Sequence, residues 1–184
     1  MKRYSVAILF VLAIVATVAG SFAKGDKNMS YTIKSSAFKE GAPIPKEYSC
    51  EGKNTSPELS WSGAPAGTKS FVLICDDPDA PHGAWTHWIV YDVPSTTLSF
   101  SPNMKIGAEL EHGIKQGSQS SGVLGYQGPC PPQGHGVHHY HFTLYAMECP
   151  SLGIAGGADR KQVEQAMVKH IISQTQCMGT YERK

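Results

Sequence analysis

Several features that would decide the class of this chain at once are missing. It has five cysteines, but none forms a C-x-x-C pair and no Cys and His stand at zinc-finger spacing, so no metal frame is legible. Charged residues make up only 17%, with 16 Lys and Arg against 15 Asp and Glu, and no run of like charge occurs. That excludes the basic stripe of a nucleic-acid binder and the polybasic patch of a membrane-surface protein. There is no G-x-S-x-G elbow, no H-E-x-x-H and no P-loop, so the usual hydrolase, zinc-protease and ATPase frames are absent. After the first 23 residues no apolar run is long enough to span a bilayer.

What is present begins with a leader. Lys2 and Arg3 precede an apolar run from Val6 to Ala19, and Ser21-Phe22-Ala23 places small residues where a signal peptidase reads. Residues 1–23 are therefore expected to be a cleaved export signal, the alternative being an uncleaved tether. Residues 24–30 are polar and expected to fray, and residues 31–184 suffice for one domain with a real core. Export to a periplasmic or extracellular space makes one or two disulfides expected among Cys50, Cys75, Cys130, Cys149 and Cys177, with at least one thiol left over. Their pairing is left open, and so is a homodimer.

Nineteen glycines and twelve prolines suit a loop-rich β protein. Short strands are expected at Tyr31–Lys34 and Leu59–Trp61. Core strands are expected at Ser70–Cys75 and Trp85–Pro94, the latter with His87, Ile89 and Tyr91 on one face. Residues 95–122 read as long surface connections. Asp159 caps an amphipathic helix through Val163, Ala166, Met167 and Ile171, ending near Gln174, and a last short strand follows at Gly179–Tyr181. Several strands with one late helix suggest a sheet-on-sheet β domain with the helix packed outside.

The chain is organised around Gly125–Leu144, where four glycines and three prolines shape a loop feeding an alternating strand. His138, Tyr140 and Phe142 share one face of that strand, and His139, His141 and Thr143 the other. Polar groups thus stand at three strand ends: Asp77 and Asp79 after the first core strand, His87 early in the second, and His138 with Tyr140. Such groups are costly beside a core unless paired, so the three ends are expected to converge on one cavity. There an Asp would hold each His in one tautomer, leaving outer ring nitrogens, a phenol and loop N–H groups as donors for a small anion. His82, His135, His139 and His141 read as loop or solvent-facing residues.

The segments DPDAP (77–81), W-x-H-W (85–88) and P-P-x-G-x-G-x-H-x-Y (131–140) together resemble the phosphatidylethanolamine-binding protein family, in its bacterial and archaeal Raf-kinase-inhibitor-like branch. The resemblance runs from about Tyr31 to Tyr181. It implies an antiparallel β-sandwich with a Greek-key core and an anion pocket at one end. By motif the pocket is lined by Asp77, Asp79, His87, His138 and Tyr140. Pro81, Trp85, Pro131 and Pro132 form an apolar wall, and Cys130 lies where the loop backbone nears the guest. The resemblance also implies ligands such as phosphate and phosphorylated head groups. One departure is the longer Gln133–Val137 segment, which would bring His135 to the rim.

The expected function is an exported binder of a small phosphorylated or carboxylate ligand, with no cofactor, no metal and no nucleic acid. Two other classes compete. The resemblance admits a protein-binding regulator that inhibits a kinase or protease, although no residue here names a partner. A pocket His could also act as general base in a hydrolase, but no nucleophile frame accompanies it.

Overall fold

A computed structural model describes residues 30–184; the expected leader lies outside them. Two antiparallel sheets form the domain. The smaller has the order β1-β2-β5, with β1 at Thr32–Ser35, β2 at Leu59–Ser62 and β5 at Ser99–Phe100. The larger has the order β6-β4-β3-β7-β8. Its strands are β3 (Ser70–Asp77), β4 (Trp85–Pro94), β6 (Lys115–Gln116), β7 (His138–Met147) and β8 (Ile171–Tyr181). This is the expected mainly-β sandwich.

The central strand β3 is buried along almost its whole length, which is why SFVLIC reads as a continuous apolar run rather than an alternating one. Its odd-numbered side chains, Phe71, Leu73 and Cys75, enter the core between the sheets with Trp61, Trp88, Phe100, Phe142 and Leu144. Val72 and Ile74 face the other way, packing with Ile89, Tyr91 and Met147 against Val163 and Met167 of α1 (Arg160–Met167). The Asp159 side chain accepts from the Gln162 N–H while the Gln162 side chain accepts from the Asp159 N–H, a reciprocal cap that starts α1. Arg160 ties the helix to the sheet, its Nη1 donating to Asp76 Oδ2 at 2.6 Å.

Two expectations about the chain need correction. The helix stops at Met167, and Ile171 opens an eleven-residue strand rather than continuing the helical face. Pairing β8 with β7 from His138↔Tyr181 to Met147↔Ile171, interrupted by a bulge at Ile172, satisfies the backbone along the strand, and β-branched Ile171 and Ile172 suit a strand better than a helix. The 95–122 connection is also less superficial than expected. It contributes β5 and β6, and it buries Phe100 in the core and Gln116 beneath Trp88, whose indole N–H donates to Gln116 Oε1. Among the described residues no helix is long and apolar enough to cross a membrane.

Candidate functional site

The site starts where β3 ends. Asp77 is the last residue of β3 rather than part of the following turn, and it is buried. Its Oδ1 accepts from the Asp79 N–H at 2.8 Å, closing the turn through Pro78. Its Oδ2 accepts from Nδ1 of His138 at 2.7 Å. Two such bonds are what a buried carboxylate needs in place of water.

His87 reaches the same side through a break in register. Cys75 pairs with Trp88 and Asp76 with Thr86, which leaves His87 as the extra residue of a β-bulge in β4. Strict alternation would have put His87 with Ile89 and Tyr91. The bulge turns it toward Tyr140 instead, the two rings meeting edge to face with centroids 5.1 Å apart. The ring is held not by an Asp, as expected, but by a backbone group: Nδ1–H donates to the Gln127 carbonyl at 2.7 Å. Burial lowers the imidazole below its ordinary value, opposed only in part by that carbonyl and by Asp77. The resting ring is therefore neutral with its proton on Nδ1, and Nε2 carries a lone pair.

Tyr140 is 1% exposed, and among the described residues its hydroxyl makes no hydrogen bond of good geometry, although the Asp77 carboxylate stands close beside it. Burial first, and then the Asp77 charge, push its pKa far up, so the hydroxyl keeps its proton as a donor. A buried phenol without a well-formed hydrogen bond is unusual in a folded protein.

The Gly/Pro loop closes the site. Gly128 N–H donates to Asn54 Oδ1 at 2.7 Å, and a Cβ at Gly128 would lie 2.0 Å from the Tyr48 carbonyl oxygen, so only glycine allows this approach. A disulfide between Cys50 and Cys130 pins the loop to the 49–54 segment, and Arg183 Nη1 donates to the Pro131 carbonyl at 3.3 Å. Cys75, Cys149 and Cys177 are free thiols. Farther along, His135 Nδ1 meets His138 Nε2 at 2.7 Å, so the outer nitrogen of His138 faces His135 rather than open space.

These elements enclose a cavity of about 610 Å³. Asp77, Pro81, Trp85, His87, Cys130, Pro131, Pro132, His138 and Tyr140 all line it, as the motifs suggested. Asp79 does not. Its carboxylate turns outward to the backbone N–H and Nδ1 of His139, at 2.9 and 2.7 Å, and that bond holds its pKa down. Asp79 shapes the turn through its N–H and is not among the lining groups.

Three lining residues with polar side chains escaped the sequence reading, His82, Ser120 and Gln127, as did the small residues Ala80, Gly83 and Ala84. His82 stood beside the DPDAP segment and was legible by proximity. Ser120 lies in the stretch read as surface connection, where its Oγ accepts from the Thr86 N–H at 2.8 Å. The decisive atom of Gln127 is a backbone carbonyl, which no side-chain pattern announces. Among the described residues no Lys or Arg lines the cavity. Among the described residues no group of three or more His, Cys, Asp or Glu is placed to hold a metal ion.

A family model for phosphatidylethanolamine-binding proteins matches residues 34–182. A UPF0098 protein of Aquifex aeolicus is 50% identical over 151 residues, covering 82% of this chain and 88% of that one. A putative lipoprotein, LppC of Mycobacterium tuberculosis, is 40% identical, with 82% of this chain and 72% of the other covered. Among solved structures, Escherichia coli YbcL, described as a member of the mammalian family, superimposes with a TM-score of 0.78 at 33% identity, covering 84% of this chain and 99% of that one. With the fold, the matched segments and these relatives in agreement, the chain belongs to the phosphatidylethanolamine-binding protein family.

Proposed function

We propose that this protein is an exported binder of a small oxyanion, a phosphate or a phosphorylated head group, held in the cavity between Asp77, His87, His138 and Tyr140. The observation that carries the reading is the Tyr140 hydroxyl, a buried donor that makes no well-formed hydrogen bond among the described residues even though the Asp77 carboxylate lies near. A ligand oxygen would supply the missing acceptor. Pro81, Pro131, Pro132 and the half-exposed Trp85 give the cavity an apolar wall against which the rest of a head group can lie. Binding rather than turnover fits a His–Asp pair whose outer nitrogen is already engaged by His135. Export is supported by the Cys50–Cys130 disulfide and by the likeness to a putative lipoprotein.

Imidazole-selective NMR tests the reading. Millimolar phosphate or phosphoethanolamine is expected to shift the His87 and His138 ring signals and leave the surface His170 unmoved. Pocket resonances that stay in place would remove the anion reading.

A further inference from the structure

Resting on that reading, we infer that the cavity takes its phosphate singly protonated, with a P–OH donating to His87 Nε2 and a second oxygen accepting from the Tyr140 hydroxyl, and that it therefore selects phosphomonoesters and inorganic phosphate over phosphodiesters.

The tautomer of His87 is fixed by geometry. A carbonyl oxygen can only accept, so the 2.7 Å contact with Gln127 places the proton on Nδ1. Nε2 makes no hydrogen bond among the described residues, and the ring lines the cavity. Beside it stands the Tyr140 ring, whose hydroxyl makes no well-formed hydrogen bond among the described residues, Asp77 being close but poorly placed to accept. One fixed acceptor and one fixed donor on neighbouring rings match an oxyacid bearing both an O–H and a bare oxygen. They do not match a fully ionised oxyanion, whose lone pairs would face the lone pair of Nε2.

The charges around the cavity point the same way. Asp77 of β3 is a buried carboxylate in the lining, and Asp76 on the reverse face of β3 is paired with Arg160 of α1. From β7, His138 lies between Asp77 and His135. Arg183 stays behind the wall on the Pro131 carbonyl, and His82 is the remaining titratable lining group, on the turn after β3. With no lysine or arginine in the lining among the described residues, a proton must accompany the anion. A monoester can supply that proton itself, because with a second ionisation at about pH 6 a small monoanion fraction persists in neutral solution and the dianion is readily reprotonated. A diester has no P–OH and can bind only if His87 is first protonated, which burial opposes.

The test is calorimetric titration of the full folded chain with three probes: inorganic phosphate, phosphoethanolamine and glycerophosphoethanolamine. At pH 7.5 the first two are expected to bind at least about tenfold more tightly than the diester, since a site built around a donated hydroxyl rejects the analogue lacking it. Between pH 7 and 8.5 the affinity for phosphoethanolamine is expected to fall about tenfold per pH unit, as the monoanion disappears. His87→Gln offers an amide N–H to the dianion, so its slope should flatten and its monoester preference shrink. Equal affinity for monoester and diester, or a wild-type affinity that does not vary with pH, would overturn the inference while leaving anion binding intact. Failure of all three probes to bind overturns both. Should His87→Gln fail to fold, the wild-type slope and the monoester-to-diester ratio still decide.

Discussion

Nδ1 of His138 lies 2.7 Å from Oδ2 of Asp77, joining residues 61 positions apart in sequence. Both side chains are almost wholly buried, so this contact sets the floor of the cavity and the orientation of the β7 imidazole. Replacing Asp77 with Asn keeps the shape but removes the charge and forces the amide to choose between donor and acceptor. Asp77→Asn is expected to lower stability by about 2 kcal/mol, the range for a hydrogen bond to a charged group. Urea unfolding measures that loss, and a changed His138 tautomer in nitrogen NMR would show its origin.

Tyr140 should behave in the opposite way. Its buried hydroxyl makes no well-formed hydrogen bond among the described residues, so Tyr140→Phe removes a poorly satisfied polar group next to the Asp77 carboxylate. Stability is expected to hold or rise by about 1 kcal/mol, while phosphate affinity falls about tenfold. Thermal unfolding and calorimetry on the same sample check both halves. A marked loss of stability would mean that the hydroxyl is satisfied within the protein.

Acid should weaken the fold through His87. Its folded-state pKa is lowered by burial, so the unfolded chain takes up the proton first as pH falls. The stability associated with the neutral ring is complete above the ordinary value of about 6.5 and is lost progressively below it, until the folded-state value is passed. Melting temperature against pH, compared between wild type and His87→Gln, should show a shallower acid limb in the variant.

The Cys50–Cys130 disulfide joins residues separated by 80 positions. By the chain-entropy relation a loop of that length corresponds to about 4.5 kcal/mol of stabilisation. Reduction, or Cys50→Ser with Cys130→Ser, is expected to lower the urea midpoint clearly and to weaken ligand binding, because Cys130 belongs to the cavity wall. Denaturation with and without reductant measures the first effect and titration the second.

Gly128→Ala tests the loop from the backbone side. The added Cβ would collide with the Tyr48 carbonyl oxygen and push the loop off Asn54. A loss of roughly 3 kcal/mol is expected, in the range of a severe steric mechanism.

Much of the fold could be read in advance because apolar patterning sets it. The span Trp85–Pro94 emerged intact as β4, and the two faces of β7 alternate in burial as its sequence alternates. Most lining residues were legible too, since DPDAP and P-P-x-G-x-G-x-H-x-Y place polar groups where a core strand would otherwise be apolar. What stayed hidden was decided by backbone geometry or by distant partners. The bulge that redirects His87 leaves no mark in residue type, and neither does the Gln127 carbonyl that fixes its tautomer. Asp79 looked equivalent to Asp77, but only Asp77 ends on the inward side of β3, while Asp79 found His139. The end of α1 was misplaced because pairing with β7 overrode a helical period that Ile171 happened to continue.

The bulge also makes the proposed binding chemistry depend on a count. Deleting a single residue between Trp85 and Trp88 would let β4 pair with β3 without interruption and swing the imidazole toward the helix side, emptying the cavity of its acceptor while every other wall group stayed in place. Insertions and deletions in this short stretch should therefore be tolerated by the fold yet silence the site, a vulnerability that point substitutions alone would never reveal.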